Sequence, residues 1–181
     1  MAAPVNARLV DPEKGIFEIL GLVLVRISSP YWTHASDIEE ETARGVIFKF
    51  VDTKVDEDRA IATVEVVDVT LDETEPEVSL LCQDDIAKLD QEMYRDITDG
   101  LEGIGITMVK WMSSKLNQTD SLSGLVTPYI VKDCGKDRQY IDLRFSAGLR
   151  KMVARGTFDI ERSNELAAPI FSILKNMKIC N

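Results

Sequence analysis

His34 is the only histidine of the chain, so a histidine-dependent metal site or a Ser-His-Asp triad would have to be built around this one ring. It follows Tyr31-Trp32-Thr33, and a ring beside a tryptophan is more simply a packing or surface residue. Carboxylates for general acid and base work are plentiful, for example Glu65 with Asp68 or Asp142 with Asp159. Glycosidase chemistry needs two of them facing one bond, but among 31 Asp and Glu such pairs arise by chance. Cys134, between Asp133 and Gly135, has an acidic neighbour and no nearby histidine, surroundings that raise a thiol pKa and suppress its reactivity. The glycines of Gly100-x-x-Gly103-x-Gly105 end a helix and lead into a strand, the reverse of the order that cradles a phosphate. No Walker or Gly-x-Ser-x-Gly pattern occurs. Asn117-Gln118-Thr119 is a formal glycosylation acceptor, relevant only to a secreted eukaryotic protein. The residues point away from an enzyme, and no cofactor or metal is expected.

The chemistry that does stand out is electrostatic. Residues 1–100 carry 23 Asp and Glu against 9 Lys and Arg, a balance of −14, whereas residues 101–181 carry 8 against 12, a balance of +4. The acids gather in 37–41, in 56–58, along 84–99 and in Asp72-Glu73-Thr74-Glu75-Pro76-Glu77. Phosphate repulsion excludes nucleic acid as the expected partner, and a basic protein is the natural alternative. A charge run is more often a solvated face than a docking site. The residues expected to bind a partner are Asp72, Glu73, Glu75 and Glu77, with Trp32, Tyr140 and Arg144 from the strands. Trp32, Trp111, Tyr129 and Tyr140 could form an aromatic patch, although aromatics on alternating strands more commonly pair or pack inside.

These residues must be positioned by strands and two helices. At 181 residues, with 45% apolar and 29% charged content, the chain reads as one domain, 1–181, large enough to hold a core without staples. Gly15 to Ile27 reads as one or two strands bent at Gly21, and Asp37 to Ala43 as a short polar helical turn. Residues 45–51 and 59–71 read as a hairpin pair. From Ser79 to about Gly100 the period becomes helical, with Ile86, Leu89, Met93, Ile97 and Leu101 on one face.

The last third is a meander. Strands are expected over 106–116, 122–132, 139–145 and 151–160, with a sharp turn at 133–137 and another at 146–148. Pro128 predicts an edge or a bulge. Tyr140, Asp142 and Arg144 alternate with Ile141, Leu143 and Phe145, which predicts one face toward water and one toward a core. Met152, Ala154, Gly156 and Phe158 share one side of the next strand. Ser163-Asn164 reads as the cap of a closing helix with Leu166, Ile170, Ile173 or Leu174 and Met177 as its buried stripe. Strands, helix, meander and closing helix predict an α+β fold, an antiparallel sheet of about six or more strands with helices packed on it.

Pro30-Tyr31-Trp32 after the first strands, the helix of residues 83–101, and the run from Tyr140-Ile141-Asp142-Leu143-Arg144 through Arg155-Gly156-Thr157-Phe158 to Leu166-Ala167-Ala168-Pro169-Ile170-Phe171-Ser172-Ile173-Leu174 resemble the PsbP/Mog/DcrB-like superfamily. Tyr31 stands where members usually carry a Gly between the early Pro and Trp. The resemblance covers nearly the whole chain and implies an α/β/α sandwich and a non-catalytic accessory module. Members include photosystem assembly factors, Ran-binding import factors, bacterial lipoproteins and chaperones linked to type VI secretion. It therefore implies protein binding in a bacterial, secretion-linked setting, as an immunity protein or chaperone that meets a basic toxin or effector. A periplasmic lipoprotein-like or Ran-binding import-type module is the alternative, and a small carboxylate- or His34-dependent hydrolase the reading from another class.

The compartment stays open. The longest apolar stretch, 19–25, falls far short of a membrane span, and the first residues lack the features of a signal peptide. The chain is expected to be periplasmic if a signal was removed before Ala2-Ala3-Pro4, and cytoplasmic otherwise. Cys82, Cys134 and Cys180 show no metal or redox spacing; idle thiols are expected, with a Cys82 to Cys134 bridge as the exported alternative.

Overall fold

A computed structural model describes residues 6–27, 32–50, 60–78, 81–118 and 122–180. Pro30, Tyr31, the acids 56–58, Thr119 of the glycosylation triplet and the side chain of His34 lie outside the described residues. Two antiparallel sheets carry the architecture. The smaller runs β1 (Ala7–Asp11), β2 (Ile16–Ile19), β3 (Val23–Arg26), with β12 (Lys178–Ile179) added beside β3 by the end of the chain. The larger has β4 (Trp32–Glu39), β5 (Arg44–Phe50), β6 (Ala62–Asp68), β11 (Arg150–Asp159), β10 (Lys136–Ala147), β9 (Ser123–Asp133) and β7 (Thr107–Trp111) in that order. β8 (Lys115–Gln118) extends the outer side of β9 beyond the end of β7. Two helices complete the fold: α1 (Gln83–Gly103) and α2 (Ser163–Lys175). The fold is α+β, as the element order predicts.

The order β6-β11-β10-β9 follows from chain mechanics and pattern. The turns at Cys134-Gly135 and Gly148-Leu149 are two-residue loops that only tight hairpins use, with φ of +50° at Cys134 and +79° at Gly135. Alternation then sorts each strand into two faces. Ile141, Leu143 and Phe145 of β10, Met152, Ala154 and Phe158 of β11, Ala62, Val64 and Val66 of β6, and Val46 and Phe48 of β5 form one apolar face. It packs against α2 through Leu166, Ile170, Ile173 and Leu174, and against the small sheet through Ile19, Val23 and Val25. Phe17 meets Phe48 edge-on at 5.1 Å between ring centroids. α2 approaches most closely at Gly156, where a Cβ would lie 2.4 Å from Ile170 Cγ2; glycine is there to let helix and strand meet. This is the α2 face. The opposite, α1 face carries Tyr140, Asp142, Arg144, Arg155, Thr157 and Glu65.

Four expectations are corrected. Residues 37–39 belong to strand β4, and the chain turns back at 40–43 into β5: pairing with β5 overrides the helical preference of Glu39-Glu40-Glu41. Residues 106–116 are not one strand, because the chain leaves the ladder at 112–114 between β7 and β8. Pro128 lies inside the sheet rather than at its edge, and the break explains how. The Pro128 carbonyl accepts from Met112 N at 3.1 Å, so the side of Pro128 that lacks an N–H faces the gap where the outer strand is interrupted. Ser163 is the first residue of α2, not its cap; a 3-10 turn over Ile160–Arg162 leads into it. Cys82, Cys134 and Cys180 are all free thiols, so the bridge alternative is not realised.

Candidate functional site

The polar face of β10 is the most consequential departure. Alternation places Tyr140, Asp142 and Arg144 away from the apolar core, as expected, yet Asp142 is fully buried and Arg144 is 3% exposed. Two segments lie on this face, one at its β7 edge and one over the end of β10 and β11. α1 lies over β7, holding its edge by Asp90, which accepts from Trp111 Nε1 at 3.1 Å and Ser114 N at 2.8 Å. The acidic segment 72–77 folds over the other end of β10 and β11. Lys151 Nζ donates to the carbonyls of Asp72 and Glu75 at 2.7 and 2.8 Å, and Ser146 Oγ donates to Glu77 at 3.2 Å.

On this face the charges pair across the strands in register. Asp142 stands opposite Arg155, which stands opposite Glu65. Arg155 donates from Nε and Nη2 to the two oxygens of Asp142, at 2.7 and 2.9 Å, a fork-to-fork geometry that suits guanidinium and carboxylate. Arg144 Nη2 approaches Asp142 at 3.2 Å, and Arg144 Nε donates to Glu75 at 2.9 Å. Tyr129 OH donates to Asp142 at 3.2 Å. Burial pushes the Asp142 carboxyl up, but the Arg155 guanidinium, and Arg144 behind it, outweigh this and hold it below the usual carboxylate value. Burial dominates at Glu65, whose carboxyl is pushed up because Arg155 only partly offsets the lost hydration. Arg144 Nη1 is buried without a hydrogen-bond partner among the described residues.

Aromatic rings continue the array toward α1. Tyr94 meets Trp111, Trp111 stacks on Tyr129 at 5.5 Å, Tyr129 lies 5.3 Å from Tyr140, and the Arg155 guanidinium sits 5.6 Å over the Tyr140 ring. This geometry ties the charges to one another across the strands. Asp142 is saturated by donors, and Asp159 pairs instead with Arg138 near the other end of β10. Glu65 and Asp68 project to opposite faces of β6. Among the described residues no group of three or more His, Cys, Asp or Glu is placed to hold a metal ion.

The seven residues singled out from the sequence divide accordingly. Glu75 and Arg144 form an ion pair, Asp72 and Glu77 anchor the covering segment, and Tyr140 lies beside Arg155. Glu73 and Glu77 are exposed. Trp32 is not with them: it is buried in the main core, edge-on to Phe50 at 5.5 Å. Residues missed by sequence reasoning sit near the acidic segment. Leu71 is 69% exposed, and a cleft of about 300 Å³ is lined by Leu20, Leu22, Ala43 and Leu71 with Glu40 and Glu41 beside them. An apolar residue immediately before an acidic run was the only local signal.

No protein-family model and no curated protein matches the sequence. Solved structures are similar in shape. The solution structure of cyanobacterial PsbP (CyanoP) from Synechocystis sp. PCC 6803 aligns with a TM-score of 0.55 at 11% identity, covering 93% of this chain and 89% of that one. LpqN of Mycobacterium tuberculosis, described as involved in cell envelope biogenesis, aligns with a TM-score of 0.49 at 10% identity, covering 88% and 83%. The chain has a PsbP-like fold. Among the described residues no helix is long and apolar enough to cross a membrane.

Proposed function

We propose that this chain is a non-catalytic accessory domain that binds a basic protein through the acidic end of the molecule. The observation that carries the reading is Leu71, exposed beside the cleft that Glu40 and Glu41 border, and directly preceding Asp72 and Glu73. Arg44 and Arg150 also line this cleft, Arg150 paired with Asp68 at 3.4 Å, and an apolar anchor next to Glu40, Glu41 and Glu73 fits a partner that brings its own apolar side chain among lysines or arginines. Asp72, Glu75 and Arg144 act by holding the segment in place, Tyr140 by supporting Arg155 beneath it, and Trp32 by packing the core under β4. Glu73 and Glu77 supply exposed charge that steers the partner. An immunity or secretion-chaperone role against a basic toxin or effector, in an exported setting, is the form of this function that the charge favours.

The test is a low-salt pull-down from native extract with the wild-type chain, Leu71→Ser and the triple variant E40K/E41K/E73K. A protein retained by wild type, lost with both variants and released by about 0.5 M salt supports the reading, since a Debye length near 4 Å screens rim charges. An identical set of retained proteins for all three sinks it.

A further inference from the structure

The α2 face of the large sheet is not fully covered. The small sheet closes its β5 end and α2 crosses β11, but toward β9 and β8 the sheet opens into a cleft of about 680 Å³. Its floor is the half-buried Val126, with Ile141 and Leu143 packed beneath it, and its walls are Lys115 and Asn117 of β8 and Phe171 of α2, the last 50% exposed. A second cleft of about 530 Å³ shares Val126 and Lys115 with it and continues to Met112 and Pro128. The groove is elongated, its apolar strip is edged by Asn117, Ser172 and Asn176, and its volume lies in the range of small-molecule sites. Lys115 and Lys175 line it, both exposed and neither in an ion pair among the described residues. Two free ammonium groups over an apolar floor, in a protein of net charge −10, select the ligand's chemistry.

We infer that this groove binds a single-chain anionic amphiphile. The alkyl chain lies on Val126 and along the exposed ring of Phe171, and the anionic head meets Lys115 and Lys175. Burial of the tail supplies most of the affinity, and the lysines reject neutral or cationic heads. The site lies away from the acidic end that carries the proposed function, so either reading can fail alone.

The test is calorimetric titration of the full chain with laurate below its micellar concentration, beside dodecanol, which has the tail without the charge, and acetate, which has the charge without the tail. Laurate is expected to bind saturably at one site, and more tightly than either. K115Q/K175Q should weaken laurate roughly 25-fold, about 5-fold per lysine, and leave dodecanol unchanged. Val126→Glu, which places a carboxylate on the floor, should abolish laurate binding; circular dichroism and urea midpoints of both variants verify that they fold. No saturable laurate binding, equal binding of dodecanol, or affinity unaffected by the variants of verified fold would each overturn the inference. Binding of an acidic amphipathic peptide in place of laurate would overturn it as well.

Discussion

Asp142→Asn tests the paired network at its centre. The substitution keeps the side chain's size, so no cavity forms, but it removes the charge that Arg155 grips at 2.7 and 2.9 Å and that Arg144 approaches at 3.2 Å. Removing one partner of a buried ion pair costs about 3–5 kcal/mol, because the other charge is left desolvated. Two facts place the expectation at the low end. The Arg155 side chain is 31% exposed and still faces Glu65, and Arg144 keeps Glu75. We expect about 3 kcal/mol of lost stability, or a Tm roughly 6–12 °C lower for a chain of this size. Urea unfolding followed by tryptophan fluorescence reads it, since Trp111 stacks on Tyr129 beside the network. Adding Arg155→Gln should cost less in the D142N background than alone, a coupling of about 1 kcal/mol or more. The pH dependence has a fixed sign. Asp142 is held below its ordinary pKa, so its contribution is present above the unfolded value near 3.9 and is lost as pH falls through the folded one. The gap between wild type and D142N therefore starts to close near pH 4 and narrows further below. A D142N stability within about 0.5 kcal/mol of wild type at pH 7 would refute the argument that this network holds the sheet's α1 face.

Glu65 behaves oppositely: burial raises its pKa, so its favourable share is complete below the unfolded value and disappears as pH rises through the folded one. Glu65→Gln should be at least as stable as wild type at pH 7 and lose that advantage toward pH 4, as urea midpoints at the two pH values will show; a loss above about 1 kcal/mol at pH 7 would mean that its pairing with Arg155 outweighs burial. Gly156→Ala should cost about 1–3 kcal/mol by overpacking against Ile170, and Ile170→Leu, which removes the Cγ2 branch, should recover part of it in a thermal melt. Lys151→Met removes the two hydrogen bonds that hold the carbonyls of Asp72 and Glu75. A Glu-specific protease should then cut after Glu73 several-fold faster, while the global unfolding midpoint shifts by only about 1 kcal/mol or less.

Local pattern carried much of this architecture. Period-2 alternation in 139–145 and 151–160, two tight turns, the helical period of 83–101 and the stripe Leu166, Ile170, Ile173 and Leu174 are properties of neighbouring residues, and they specify an antiparallel meander with helices on it; Met177, expected on that stripe, lies past the end of α2 and is buried from the segment leading into β12. Charge was legible in the same way, because counting needs no coordinates. What failed locally was decided by distant partners. Asp37 to Glu39 became strand because β5 offered a ladder, and Pro128 sits inside the sheet because residues 112–114 break away opposite it. Alternation could say that Tyr140, Asp142 and Arg144 share a face; it could not say that the face is covered, since α1 and the segment 72–77 reach it from 25 or more residues away. The same distance separates Glu75 from Arg144 and Glu40 from Leu71. Sequence by itself determined which residues are charged and which share a face. Only the tertiary structure decided which of those charges are buried in pairs and which are left to meet a partner, because desolvation and pairing depend on separations in space that chain order does not encode.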